Sequence, residues 1–117
     1  MLKGLLMLLR LLWLVVLLTG TLFYFKIAVP LGLHMYMGFA ISALMIIIAI
    51  MGLRAAAVLS VVTILVAFAL PVIGILQLKH LTMPDLPYIQ ATHVVLGIAA
   101  IALAEIVGKR TRLSSAA

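Results

Sequence analysis

Two apolar runs lie almost end to end in this sequence, LGLHMYMGFAISALMIIIAIM (residues 31–51) and AAAVLSVVTILVAFALPVIGILQL (residues 55–78). Only three residues, GLR at 52–54, separate them. A helix crosses the roughly 30 Å hydrocarbon core of a bilayer with about 20 predominantly apolar residues, so each run predicts one transmembrane helix. The short interruption predicts that the two helices form a tight hairpin. Pro71 removes a backbone donor inside the second helix and predicts a kink there.

Apolar runs on either side of this hairpin add one helix each. Residues 1–25 have a basic start and an apolar core, yet no small-residue cleavage site follows, so we expect a retained helix and not a removed signal peptide. A last apolar run begins after Pro87, which suits the first turn of a helix. The last seven residues, TRLSSAA, are short and polar, and we expect them to fray. The predicted helices cover about residues 5–25, 30–52, 55–78 and 87–108.

The sequence therefore predicts an all-α fold, a single four-helix transmembrane bundle over residues 1–117 with up-down topology. Composition agrees, because 68% of the 117 residues are hydrophobic and the mean hydropathy is +1.49, far from soluble globular domains. The absence of cysteine excludes disulfides, iron–sulfur clusters, thiolate metal sites and covalent c-type haem. The only acidic residues are Asp85 and Glu105, which argues against carboxylate metal cages and paired-acid hydrolysis.

Membrane topology explains the formal net charge of +6 better than a nucleic-acid partner does, and we expect no such partner. With a cytoplasmic N-terminus, six basic residues lie inside and two outside, as the positive-inside rule requires. The inside set is Lys3, Arg10, Arg54, Lys109, Arg110 and Arg112, and the outside set is Lys26 and Lys79. We therefore expect a multi-pass protein of the cell membrane, surrounded by lipid, with both termini cytoplasmic. Trp13 and Tyr24 are predicted at opposite membrane surfaces.

The second and fourth helices carry an internal repeat. HMYMGFAISALMII at 34–47 aligns without gaps on HVVLGIAAIALAEI at 93–106, with six identities in 14 positions. Four identities are common apolar residues, and the other two form the same H-x-x-x-G pattern in both segments. Each half of the chain is then a helical hairpin, and two parallel hairpins related by an axis along the membrane normal place His34 and His93 face to face.

The two histidines and four glycines predict a flat cavity near the outer face. Helices 2 and 4 lie diagonally in an up-down bundle, so two inward imidazoles leave a slot for a planar macrocycle. Ionisable residues inside a bilayer are rare and usually functional, and neutral imidazole is a common metal ligand. Gly38 and Gly97 lie one turn after each histidine and remove the side chain that would block a planar ring. Gly20 and Gly74 widen the same cavity.

At these residues the sequence resembles the small membrane b-type cytochromes of the cytochrome b561 kind, four-helix bundles that hold haem between histidines. That family typically has two haems and four histidine ligands. The cytoplasmic half of this chain has no histidine, so the resemblance implies one haem b per chain, with His34 and His93 as its iron ligands near the outer face.

Two axial imidazoles leave the iron without an open site, which favours electron transfer over oxygen activation. The expected partners are the quinone pool or an extracytoplasmic redox protein, and the chain is equally suited to anchor a larger oxidoreductase in the membrane. The nearby Lys26, Lys79 and His80 are candidates to pair with haem propionates. Catalysis by this chain alone is not expected.

Three alternatives stay open at this point. The histidines could only bond neighbouring helices in a small structural or assembly subunit without a cofactor. They could each bind a chlorophyll-type pigment. Glu105 could be the embedded carboxylate of a small multidrug-type exporter, although that class places its glutamate in the first helix, which has none here. An ion pair with Lys109, four residues later, is the role we expect for Glu105.

Overall fold

The structure, a computed structural model, describes residues 1–116, and these form four helices. They are α1 (Leu2–Tyr24), α2 (Leu31–Met51), α3 (Ala57–Lys79) and α4 (Leu86–Ala116). All four are long and apolar enough to cross a membrane. The predicted all-α, four-helix transmembrane bundle is confirmed, and the chain is a multi-pass membrane protein.

The helices alternate in direction, so the bundle has two distinct ends. The terminal end holds the chain termini and the tight α2–α3 turn at residues 52–56, and the loop end holds the α1–α2 and α3–α4 connections. Pro30 precedes α2 and Pro87 lies in the first turn of α4, where a missing backbone donor costs nothing. α3 runs without interruption through Pro71.

Lys26 ends α1 in the left-handed region, at φ 59°. Its amide donates to the carbonyl of Phe23 and the next amide, of Ile27, donates to the carbonyl of Leu22, both at 2.9 Å. These two bonds satisfy the last carbonyls of the helix in the arrangement that glycine usually adopts. This left-handed backbone conformation is strained for a lysine. The two hydrogen bonds that close the helix keep Lys26 in it.

α4 does not end near Gly108, as the glycine and the polar tail predicted, but continues to Ala116. A Cβ at Gly108 would lie 2.7 Å from Cδ1 of Leu6, so this glycine permits close packing of α4 on α1. One turn later Thr111 is buried, and its hydroxyl donates to the carbonyl of Val107 at 2.7 Å. The helix persists past Gly108 because this turn still packs against the bundle.

The tightly packed core occupies the half of the bundle nearest the terminal end. Every helix contributes from the half of its length that lies there. The fully buried apolar side chains in the described residues include Leu6, Leu9, Met45, Ile48, Ala67, Ala100, Ala104 and Val107. The loop half holds the two histidines instead and is packed less completely. The chain thus separates a structural half from a half that contains a cavity.

The bundle has one short and one long diagonal. α2 and α4 approach each other across the centre, whereas no Cα atom of α1 lies within 8 Å of one in α3 in residues 1–116. The gap between α1 and α3 is therefore the wider one. A flat group placed between α2 and α4 would extend its edges along this wider direction.

Arg10 and Glu105 join α1 to α4 within the terminal half. The guanidinium donates through Nε and Nη2 to both carboxylate oxygens, with Nη2 and Oε2 2.7 Å apart. The predicted pairing of Glu105 with Lys109 on its own helix is therefore replaced by a pair between helices. The reason is geometric, because antiparallel packing of α1 on α4 brings the guanidinium fork opposite the carboxylate and allows two parallel bonds.

Candidate functional site

The structure brings His34 of α2 and His93 of α4 together in the loop half. Their ring centroids are 6.4 Å apart and their planes are inclined at 50°. Both rings are partly buried and both line the same cavity. The repeat in the sequence therefore corresponds to a pair of facing imidazoles.

A hydroxyl on α1 fixes the tautomer of His34. Nδ1 of His34 lies 2.8 Å from Oγ1 of Thr19, and that hydroxyl also lies 3.0 Å from the carbonyl of Val16, to which it donates. A hydroxyl has one hydrogen, so the bond to the ring runs the other way, with Nδ1–H of His34 donating to Thr19. Nε2 then carries the free lone pair. This is the arrangement in which a histidine serves as a metal ligand through Nε2.

His93 lacks the corresponding partner. Its Nδ1 is buried and has no hydrogen-bond partner among the described residues. In α3, Ile73 precedes Gly74 as Thr19 precedes Gly20 in α1, and an isoleucine side chain offers no acceptor. The two hairpins are thus equivalent in backbone placement and different in the atoms they present to their histidines.

Gly20 and Gly74 form the surfaces against which the imidazoles pack. A Cβ at Gly20 would lie 3.1 Å from Cε1 of His34, and one at Gly74 would lie 3.4 Å from Cε1 of His93. Any larger residue at Gly20 would push the ring toward its partner across the cavity. These glycines set the positions of the rings, whereas the sequence had suggested only that they widen the cavity.

Gly38 and Gly97 have the opposite role. A Cβ at either position would meet no atom within 4 Å, and both residues line the cavity. Each lies one helical turn after its histidine and therefore on the same face. The space beside each imidazole is open because these residues have no side chain, as the H-x-x-x-G pattern predicted.

The cavity has a volume of about 470 Å³ and is walled by all four helices. This lies within the range of pockets that hold small molecules and cofactors. Its walls are mainly apolar, with Phe23, Phe39 and Leu70 among them, and its lining residues include no Lys, Arg, Asp or Glu. The occupant is therefore expected to have a large apolar surface.

The two imidazoles suit a metal ion that is already bound by a macrocycle. Residues 1–116 contain no group of three or more His, Cys, Asp or Glu side chains placed to hold a bare metal ion. Zinc sites in proteins usually supply three or four side-chain ligands, more than the two imidazoles here. A metal in a macrocycle needs only axial ligands, one on each face. The cavity fits that requirement.

The three basic residues proposed to pair with propionates lie outside the cavity lining. Lys26 is in the α1–α2 connection, and Lys79 is exposed at the end of α3. Nδ1 of His80 is 3.0 Å from Oδ2 of Asp85, so this histidine is hydrogen-bonded to a carboxylate within the α3–α4 connection. The polar side chains that do line the loop half of the cavity include Gln77 and Gln90.

Spacing in the sequence could have identified these two glutamines. Gln77 follows Gly74 by three residues and Gln90 precedes His93 by three, so each shares a helical face with a residue already assigned to the cavity. Their amides can donate to carboxylates or carbonyls without bringing a charge into the membrane.

Trp13 lies inside the bundle and not at a membrane surface as predicted. Its Nε1–H donates to the carbonyl of Gly97 at 3.0 Å, and its ring lines the cavity. Residue 13 is near the middle of α1, far from either membrane surface, and an indole at this depth needs an acceptor for its N–H. It forms part of the cavity floor and ties α1 to α4.

No family model matches the sequence, and neither a curated protein nor a solved structure matches it.

Proposed function

We propose that this protein is a single-haem b-type membrane cytochrome, with one haem b held between His34 and His93 and electron transfer as its role. The separation of the two rings is the observation that carries the proposal. Two imidazoles that bind one metal from opposite sides, each with a metal–nitrogen distance of about 2.0–2.1 Å, have ring centroids about 6 Å apart. The observed value is 6.4 Å.

In this proposal the residues in and beside the cavity have separate structural roles. Thr19 holds the His34 ring with Nε2 free, and Gly20 and Gly74 seat the two rings. Gly38 and Gly97 leave room for a planar group beside them. The apolar walls exclude water and favour the uncharged surface of a macrocycle.

The glutamine amides replace the lysines as candidates to hold the polar edge of the group. Gln77 and Gln90 line the cavity, whereas Lys26 and Lys79 do not. When bound, the haem supplies one-electron exchange between its ferric and ferrous states. His34 and His93 would hold the group, and the apolar walls of the cavity would set the polarity around it.

The proposed orientation in the membrane is based on the distribution of basic residues between the two ends of the bundle. With six basic residues at the terminal end and two at the loop end, we propose that both termini are cytoplasmic and that the site lies toward the outer face of the cell membrane. The electron partners would then be membrane quinone or an extracytoplasmic redox protein. Membership in a larger oxidoreductase is consistent with the small size of the chain.

The geometry favours this proposal over the structural alternative. If the histidines only bonded neighbouring helices, nothing would require the two rings to face each other at the separation expected for a shared metal. Their ring centroids are 6.4 Å apart. A pigment-binding role is also less well supported, since the two rings are separated by the space for one planar group and not for two.

The exporter alternative is not supported by the position of Glu105. Its carboxylate is engaged by the guanidinium of Arg10, and Glu105 is outside the cavity lining. A transport carboxylate needs to reach the substrate and exchange protons with water. A carboxylate held by two guanidinium bonds is poorly suited to that task.

The test is the absorption spectrum of the purified protein and of three histidine variants. The wild type is expected to show reduced α and β bands and a pyridine haemochrome of one b haem per chain. His34→Ala and His93→Ala should each abolish or grossly change the bound spectrum while the chain still inserts. His80→Ala is the matched control, because His80 pairs with Asp85 outside the cavity, and its spectrum should be unchanged.

Haem retention at the wild-type level, with an unchanged spectrum, in both His34→Ala and His93→Ala would overturn the proposal. Red or near-infrared bands in the wild type would instead assign the site to a chlorophyll-type pigment. A purified protein without any chromophore, even after incubation with haemin, would favour the structural alternative.

A further inference from the structure

The two halves of the site differ at one atom pair. His34 donates its Nδ1 hydrogen to Thr19 at 2.8 Å, whereas Nδ1 of His93 is buried without a partner, and Ile73 holds the position before Gly74 that Thr19 holds before Gly20. The two seats share a glycine under each ring and an open glycine one turn later. They also differ in that the ring of Phe23 packs edge-on against His34, so the threonine-to-isoleucine difference is the one that concerns the hydrogen bond of each Nδ1.

This difference makes the two imidazoles unequal ligands. A hydrogen bond from the far ring nitrogen fixes the orientation of a metal-binding histidine and raises its basicity. His34 has that bond and His93 does not. A buried N–H without an acceptor is also unfavourable in itself, so rotation of the His93 ring away from its position costs less.

We infer that His93 is the exchangeable ligand of the site and that a neutral diatomic molecule of the carbon monoxide and nitric oxide class binds in its place. This inference rests on the proposed haem. If the His93 ring swings away, the space that it vacates is open to the ligand, and His34 would still hold the group from the opposite side.

The surroundings of His93 favour a small neutral ligand over an anion. Val94 and Ile98 line the cavity and are also about half exposed on the lipid-facing surface, at 51% and 54%. They connect the site to the bilayer, in which apolar gases dissolve. No Lys or Arg lines the cavity within the described chain, and the core of a ferrous haem is neutral, so an anion buried beside the reduced group would have no compensating charge.

The experiment uses the full-length, haem-loaded and dithionite-reduced protein with carbon monoxide as the probe. At saturating carbon monoxide the rate of adduct formation reports how fast the protein ligand dissociates. Ile73→Thr supplies the missing hydroxyl, and Ile73→Val is its control, because valine has the shape of threonine without the oxygen. Wild type and Ile73→Val should react at similar rates, and Ile73→Thr should react about 2- to 12-fold more slowly, which is the factor given by one net hydrogen bond.

A second measurement identifies which histidine is displaced, without relying on the Ile73 variants. The infrared C–O stretching frequency of the wild-type adduct should match that of His93→Gly, in which His34 is the remaining ligand, and differ from that of His34→Gly. A match to His34→Gly instead would overturn the inference. So would a loaded, reduced wild type that binds no carbon monoxide, or equal rates for Ile73→Thr and Ile73→Val.

Failure of the inference is distinguishable from failure of the proposed function. A pyridine haemochrome on the same sample shows whether haem is present before any carbon monoxide is added. If haem is present and no adduct forms, only the inference that His93 is exchangeable is overturned. Haem absent overturns both.

Discussion

Thr19 and His34 form a connected pair in which one hydroxyl accepts from the ring and donates to its own helix. Oγ1 lies 2.8 Å from Nδ1 of His34 and 3.0 Å from the carbonyl of Val16. Because the hydroxyl hydrogen is used by the carbonyl, the imidazole hydrogen is confined to Nδ1. A residue outside the cavity lining thus leaves Nε2 of His34 as the ring nitrogen with the free lone pair.

We predict that Thr19→Val weakens haem binding about 10- to 100-fold, the usual cost of removing the outer partner of a metal-binding histidine. Thr19→Ser keeps a hydroxyl and should retain most of the affinity. Nitrogen NMR of the haem-free protein provides a separate measurement, since His34 should be the Nδ1–H tautomer in the wild type and a mixture in Thr19→Val. Thr92→Val removes a hydroxyl that bonds only Tyr88 and is the control. An Nε2–H tautomer for His34 in the wild type would contradict the assignment.

We predict that Gly38→Leu and Gly97→Leu each prevent haem loading without unfolding the bundle. A side chain at either position would extend into the cavity and meet no protein atom within 4 Å of its Cβ. The variants should insert and show wild-type helix content by circular dichroism, with at least a tenfold loss of bound haem. Gly4→Leu is a matched control, because its Cβ is equally free but lies outside the cavity. Normal loading of both cavity variants would mean that the macrocycle does not occupy this space.

The bundle could be predicted from the sequence because hydrophobic length alone specifies membrane helices. The runs at 31–51 and 55–78 are so apolar, and so nearly continuous, that two crossings and a tight turn follow without further information. The end of α4 could not be predicted in the same way. Gly108 stands where a helix would often stop, and only its contact with Leu6 shows that the glycine serves packing.

The facing histidines could be predicted from the repeat, since identical spacing in two hairpins implies equivalent positions. The repeat does not indicate which side chains bond to each other. The predicted pairing of Glu105 with Lys109 used spacing along one helix, whereas the observed pair with Arg10 depends on how α1 packs on α4. Trp13 and Thr19 were missed as part of the site because neither residue is repeated in the second hairpin.

We predict that Lys26→Gly stabilises the protein by about 1 kcal/mol. Lys26 adopts φ 59°, a left-handed conformation that costs other residues about 1–2 kcal/mol and glycine little, part of which is lost to the greater freedom of glycine in the unfolded chain. Thermal or denaturant unfolding in detergent measures the change. Lys79→Gly is the control, since Lys79 is the last residue of α3, has no positive φ and should gain no stability from glycine. Stabilisation by both variants would point to charge and not to backbone strain.

We predict that the Arg10–Glu105 pair acts as a unit that holds α1 against α4. Arg10→Met leaves a carboxylate without its guanidinium and Glu105→Gln leaves the guanidinium without its carboxylate, so each single variant should lower the unfolding midpoint by several degrees. The double variant Arg10→Met/Glu105→Gln leaves no unpaired charge at this contact and should recover part of the loss. Lys109→Met removes a charge near Glu105 that the structure leaves outside the pair, and its midpoint should change little. Additive losses in the double variant would show that the two side chains are not coupled.

Glu105→Gln should also leave drug tolerance unchanged, because a carboxylate that serves helix packing has no part in transport. A loss of tolerance would restore the exporter alternative.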